Sequence, residues 1–436
     1  MARTGRQAWT ASVRETLAKP LTSYYLVLAV SGLLIGFGMV MVLSASSVTS
    51  YEELGSPYTI ALRQAGFLLV ALVVGLFAWR MPLNALRVLV YPLLLVAVTL
   101  LGLTFTPLGQ EVNGNRNWLD VGLPILIQPS EIAKLTIILW AADLYARKRR
   151  LLHLDRHIVI PMLPVTGAVA ALVVLQHDLG TALVLFAIIL GMLFVAGLSA
   201  RTFLVIFFAV AAVAASAASA SGERVGRILS YTDPFADVSN SGYQAAHGLM
   251  GLSTGELSGS GLGAGVQKWG TLPGAHTDFV FAVIGEELGL IGTLSVLVLF
   301  GLLAYVGFRI ARRARDPFAR FAAAGITVWL MVQTLVNIGM VLGMLPVIGI
   351  PLPLISYGGS ALVPTVVALG LLANFARTEP GAQAALRAHR SRRARRRTAG
   401  GTVPQGTVPP TTTSRRNDST TRSAPRPVGR PVREEG

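Results

Sequence analysis

The chain has 436 residues, 53% of them hydrophobic and 13% charged, with no cysteine and a formal net charge of +16. So few charges over that length exclude a water-soluble globular fold and make lipid the solvent, and the missing cysteines exclude disulfides, thiolate nucleophiles and cysteine-based metal sites. From Arg377 onward 14 basic residues face 4 acidic ones, a net +10, so most of the positive charge lies in a tail suited to anionic lipid headgroups rather than to nucleic acid.

Residues 1–23 read as a basic cytoplasmic segment with Arg3, Arg6, Arg14 and Lys19, and without an apolar stretch ending in a small-residue cleavage site. Apolar runs long enough to cross the hydrocarbon core follow at 24–43, 60–79, 88–105, 131–145, 158–175, 181–196, 203–218, 279–308, 321–343 and 355–375. An all-α membrane protein of about ten transmembrane helices is expected, its membrane domain covering 24–376. The tail, 377–436, is rich in Pro, Thr, Ser and Arg and reads as disordered.

Lys and Arg are retained on the cytoplasmic side of a span, and here they fill alternate loops. Arg80 and Arg87, then Arg147, Lys148, Arg149, Arg150 and Arg156, then Arg201, then Arg309, Arg312, Arg313, Arg315 and Arg320 make 13, against Arg116, Arg224, Arg227 and Lys268 in the loops between. Both termini are thereby placed in the cytoplasm, which requires an even number of spans. Two outer loops, 106–130 and 222–277, are long and rich in Gly, Trp and polar residues, the second lying between spans 7 and 8. Such loops on a rigid scaffold tend to carry function. A third, 345–354, packs Pro346, Pro351 and Pro353 with Gly349 into a rigid, re-entrant-like turn.

Ionisable residues near the outer span ends are the candidates for chemistry, because charge is expensive there unless it is used or paired. Gln128-Pro129-Ser130 marks the start of the fourth span. Glu131 and Lys134, three apart, share a face: they form a self-satisfied ion pair, or Lys134 meets a lipid phosphate near the helix N-terminus. Arg116 offers a second cation and Trp118 an interfacial anchor. Asp178, in the turn Gln176-His177-Asp178-Leu179-Gly180-Thr181, reads as a cap of the sixth span, and His177 beside it is weak evidence for a metal. Asp278 opens the eighth span, either as a helix cap or as a carboxylate facing an apolar wall, whose raised pKa would suit a general base. Gly285 and Gly289 lie on nearly its face and would let another helix approach closely. Glu286 and Glu287 are paired or functional with equal weight. The Gly-rich run 259–263 lacks the strand, helix and Lys context of a nucleotide loop.

Three stretches, in this order, resemble the SEDS family (shape, elongation, division and sporulation) over 24–375. The most specific runs from Gly261-Leu262-Gly263 and Gln267-Lys268 through Leu272-Pro273 and His276-Thr277-Asp278-Phe279-Val280-Phe281-Ala282 to Gly285-Glu286-Glu287-Leu288-Gly289. The others are Pro353-Leu354-Ile355-Ser356-Tyr357-Gly358-Gly359-Ser360 and Gln128-Pro129-Ser130-Glu131 with Lys134. The resemblance implies a ten-span fold and a peptidoglycan glycosyltransferase in the bacterial cell membrane, polymerising lipid II at its outer face and releasing undecaprenyl pyrophosphate. It implies Asp278 as the catalytic base. As substrate-binding residues it implies Lys134, Glu131 and Arg116, together with His276, Lys268, Gln267 and Ser356. A divalent cation, Mg or Mn, is an alternative counter-charge for the leaving group, with no ligands assigned. The implied partners are a class B penicillin-binding protein transpeptidase, other division proteins and membrane lipids. Departures from the family pattern are Asn117 where arginine is usual, His177 for proline, Gly274 for glutamate and Ala361 for a second serine. Loop wording and tail favour a septal division role over elongation; a lipid II flippase and a scaffold that only recruits the transpeptidase are the other readings.

Overall fold

Apolar runs in lipid must satisfy their own backbone polar groups, and a helix does so within the segment. The computed structural model describes residues 19–112, 114–120, 122, 126–219, 222, 225–226, 230–231, 233–240, 242–386 and 388. The N-terminal segment before residue 19, Arg224, Arg227 and the tail beyond 388 lie outside the described residues. Those up to 386 belong to one compact unit.

Its helices are α1 Thr22–Leu54, α2 Thr59–Arg80, α3 Leu83–Leu103, α4 Pro129–Arg147, α5 Asp155–Leu175, α6 Leu179–Val195, α7 Ala200–Ser219, α8 Tyr243–Thr254, α9 Val280–Arg313, α10 Pro317–Val341 and α11 Gly359–Ala376. Among the described residues, eight are long and apolar enough to cross a membrane. Of the ten expected spans the other two fall short for different reasons. The α4 helix carries Glu131, Lys134, Asp143 and Arg147, and α6 has only 17 residues.

Loop 106–130 departs from the all-helical expectation. It contains a small antiparallel sheet, ordered β1 (Gly109–Val112), β2 (Asn115–Asp120), β3 (Leu126–Ile127), with Gly109 opposite Leu119 and Leu119 opposite Ile127. The sequence pair Asn113-Gly114 between β1 and β2 is a hairpin turn signal, and Gly114 has a φ of 77°. Alternation along β2 buries Asn117 and Leu119 and turns Arg116 outward.

The α4 helix is buried almost all round and packs against α3 and α10. Close approach at the α2–α11 contact depends on glycine: a Cβ on Gly370 would stand 2.5 Å from the Gly75 carbonyl oxygen. By contrast, α7 has no buried residue and stands at the periphery beside α6.

Two helices exceed the span length. The 33 residues of α1 run about 50 Å at 1.5 Å each, so it projects beyond the hydrocarbon core until Gly55, at φ 73°, closes it by donating to the Tyr51 carbonyl. The 34-residue α9 is broken at Gly289, whose φ of 65° and ψ of −160° are non-helical. Residues 255–261 dock at this break: Ser260 and Gly261 N–H donate to the Glu286 and Glu287 carbonyls, and Leu290 and Ile291 N–H to those of Glu256 and Leu257. The helical bonds lost at the glycine are thereby replaced.

Candidate active site

The sheet, the α5–α6 turn, segment 273–278 and turn 346–351 meet at one end of the bundle around a cavity of about 1300 Å³. Asn117 and Trp118 of β2, Gln128, Glu131 and Lys134 of α4, and His177 to Thr181 form one wall. Asp278, the Pro-rich turn, residues 357–361 and Ala214, Ala215 and Ala218 of α7 line the rest of the cavity.

Asp178 organises the first wall. It caps α6, its Oδ1 accepting from Thr181 N at 3.0 Å. Its Oδ2 accepts from the Thr181 hydroxyl at 2.8 Å, Asn117 Nδ2 at 2.6 Å and Gln128 Nε2 at 3.1 Å. The cap reading holds, and the same carboxylate ties sheet, α4 and α6 together. Asn117, where an arginine is usual, acts here as a donor to that anchor. Arg116 lies outside the cavity, exposed on the outward edge of β2 and donating to the Thr106 carbonyl at 2.9 Å.

Glu131 and Lys134 line the same wall and pair at 2.8 Å, 3% and 1% exposed. The ammonium also donates to Gln333 Oε1 at 3.2 Å and sits 5.5 Å from the Trp329 ring centroid. Both sequence readings meet here: the pair satisfies itself and faces the cavity. Glu131 Oε2 is buried with no hydrogen-bond partner among the described residues, so the carboxylate retains acceptor capacity.

Asp278 is no cap. The α9 helix starts after it, with Phe279 at the N-cap position and no side-chain cap bond. Its Oδ1 accepts from the Thr277 hydroxyl at 2.8 Å, and its own carbonyl accepts from Asn337 Nδ2 at 2.7 Å. Gly274, at φ 74°, leaves room for the carboxylate, because a Cβ there would overlap Asp278 Oδ1. On the far side the Pro-rich turn comes close, a Cβ on Gly349 standing 3.9 Å from Oδ2.

The remaining expected binding residues lie outside the cavity lining, and each has a structural partner. Lys268 is 3% exposed and pairs with Glu287 at 2.7 Å, with the Ser44 hydroxyl 2.6 and 2.8 Å from the two carboxylate oxygens. Where the resemblance implies a substrate contact, the structure shows an ion pair that clamps α1, α9 and the loop together. Gln267 Oε1 bonds His247 Nδ1 at 2.9 Å, and its backbone N–H, with that of Val266, donates to the Glu286 carboxylate. Glu286 and Glu287 are thus both paired. The Ser356 hydroxyl accepts from Leu352 N–H at 2.8 Å and stiffens the turn. His276 accepts at its carbonyl from Tyr357 N–H at 2.8 Å and packs on that ring, centroids 5.7 Å apart. Burial holds its imidazole below the ordinary value of 6.5, the Glu53 carboxylate acting the other way, which keeps it neutral at pH 7. Tyr357 itself, and Ser360, do line the cavity.

Residue-by-residue reading missed Gln333 and Asn337. Their signal was present: two amides four residues apart in an apolar span share a face that has to find polar partners. Among the described residues no three His, Asp or Glu side chains converge as a metal ligand set.

The family described as cell cycle protein FTSW_RODA_SPOVE matches residues 24–380. The chain is 43% identical over 375 residues to a probable peptidoglycan glycosyltransferase FtsW of Mycobacterium tuberculosis, covering 86% of this chain and 71% of that protein. It is 41% identical over 355 residues to one of Halomonas elongata, covering 80% and 88%. Among solved structures, a chain of a peptidoglycan synthase complex that coordinates polymerization and crosslinking superposes with a TM-score of 0.66 at 30% identity, covering 80% of this chain and 96% of that one. The rod shape determining protein RodA of Thermus thermophilus superposes at 0.59 and 30% identity, covering 83% and 98%.

Proposed function

Because the chain belongs to the FtsW, RodA and SpoVE family of cell cycle proteins, we propose that it is a peptidoglycan glycosyltransferase that polymerises lipid II for septal synthesis. The observation that carries the chemistry is one carboxylate, Asp278, lining a cavity of about 1300 Å³ that the Glu131–Lys134 pair also lines. That volume exceeds the usual range of a pocket for one drug-sized ligand and suits two sugar units.

Asp278 takes the proton from the acceptor's sugar hydroxyl as that oxygen attacks the donor's anomeric carbon. The bond from that carbon to the diphosphate oxygen breaks, undecaprenyl pyrophosphate departs with the electron pair, and displacement from the opposite side inverts the centre. Lys134 is the one lysine or arginine in the cavity lining among the described residues. Held by Glu131 and Gln333, it offers its charge to the diphosphate as charge develops there. Glu131 and Asp178 offset that single cation, so a divalent ion carried in on the diphosphate would supply further counter-charge.

The cavity end faces outward, both termini lie in the cytoplasm, and a class B penicillin-binding protein cross-links the product. The FtsW naming of the relatives supports a septal rather than an elongation role.

The test is gel analysis of glycan made from lipid II by the purified full chain with its transpeptidase partner, wild type against Asp278→Asn. The variant is expected to migrate as a folded monodisperse species and to make no polymer. Polymer at the wild-type rate from Asp278→Asn would remove the base. Lipid II made accessible across sealed liposomes without polymer would instead favour transport.

A further inference from the structure

Two amides of α10, Gln333 and Asn337, each reach one wall of the cavity and the same turn. Asn337 spends both Nδ2 hydrogens on carbonyls, those of Asp278 and Ile350, each at 2.7 Å. One helical turn earlier, Gln333 donates from Nε2 to the Pro351 carbonyl at 3.1 Å. Its Oε1 accepts from Lys134 Nζ at 3.2 Å and Trp329 Nε1 at 2.9 Å. The adjacent carbonyls 350 and 351 are therefore held by adjacent turns of one helix, whose same two amides also bond the Asp278 carbonyl and the Lys134 ammonium.

Asn337 is held by its donors and not by its acceptor. It is fully buried, and its Oδ1 has no hydrogen-bond partner among the described residues. An orphaned buried acceptor is a standing cost, which the two bonds donated from Nδ2 offset. Its donors, though, fix the backbone from which Asp278 projects, and a base displaced by about 1 Å can lose about a hundredfold in rate.

We propose that Asn337 and Gln333 are positioning residues that hold the base Asp278 and the cation Lys134 at a fixed separation through the shared Ile350–Pro351 backbone. Asn337 acts on the proton-transfer step and Gln333 on diphosphate binding. The inference rests on Asp278 being the base, and the experiment separates the two. Its control is Asn374→Leu. Asn374 makes the same kind of double bond, to the Ala78 and Met81 carbonyls at 3.2 and 2.7 Å, in the α2–α3 connection far from the cavity.

The full-length protein with its partner is assayed for kcat and KM on lipid II and for affinity toward undecaprenyl pyrophosphate. Asn337→Leu is expected to lower kcat about a hundredfold, leaving KM and product affinity within about threefold of wild type. Gln333→Leu is expected to weaken product affinity about tenfold, because the lysine loses its second anchor. Asn374→Leu should change neither beyond its loss of folded protein. If Asn337→Leu does not fold, Asn337→Ser decides the same question with a smaller packing defect. Wild-type kcat in the folded Asn337 variant, or equal loss of rate and affinity in both α10 variants as in Asn374→Leu, would overturn the proposal. An active Asp278→Asn would instead overturn the base on which it rests.

Discussion

Lys134 illustrates how a buried cation is held where lipid alone would expel it. At 1% exposure it is tolerated because Glu131, Gln333 and the Trp329 face surround it, and removing one member of a buried ion pair leaves the other uncompensated. Lys134→Met is expected to cost about 3–5 kcal/mol of stability. Adding Glu131→Gln should recover most of that loss while leaving polymerisation low, a pattern that thermal unfolding and the gel assay together read out. Recovery of activity along with stability would mean the ammonium has no part in the reaction. The pair was legible in sequence because its members are three apart on one helix and charged at a membrane boundary. Lys268, which the resemblance implied only as a substrate contact, differs, since its partner Glu287 lies 19 positions on and across the loop. Spacing locates neighbours on one helix, and tertiary folding alone decides which charge neutralises which.

At the scale of elements, the least legible feature is the break in α9. Apolar periodicity runs through 279–308 without a proline, so the sequence reads as one continuous span, with Gly285 and Gly289 as a face for a close helix. Half of that holds. Gly285 does meet a helix, since a Cβ there would overlap Leu252 of α8. Gly289 instead adopts φ 65°, ψ −160°, a region essentially closed to residues with a Cβ. A Cβ there would also stand 2.5 Å from Gly259 N and 2.6 Å from the Leu257 carbonyl carbon. Gly289→Ala is therefore expected to undock residues 255–261, raising their amide hydrogen exchange and lowering the melting temperature, with polymerisation falling because Asp278 sits at the head of the broken helix. Unchanged exchange there would mean the break is incidental to how the loop is held. The sheet in 106–130 was more accessible. Its Asn-Gly turn is a short-range signal, whereas β2, Asn115–Asp120, shows its alternation only in burial and not in residue type.

At the scale of the whole molecule, the lipid-solvated character was fixed by composition, while sidedness depends on a rule about charge. The cavity, the sheet, the α7–α9 connection and the Pro-rich turn share one end, and the cation-rich loops 147–156 and 309–320 alternate with them along the chain. Because Lys and Arg stay on the cytoplasmic side, the proposed function puts the cavity end outside, where a substrate already carried across the membrane would be met. The natural absence of cysteine makes this directly measurable. Ser258→Cys places one thiol on the exposed loop beside the α9 break, and Arg150→Cys places one in the exposed α4–α5 connection. In intact cells stripped of outer barriers, a membrane-impermeant maleimide is expected to label the first and to reach the second only after the membrane is opened. The reverse pattern would turn Asp278 toward the cytoplasm and leave the cavity without access to glycan. Equal labelling of both would show two orientations in one membrane, and the charge alternation would then be too weak to set the topology on which the proposed reaction depends.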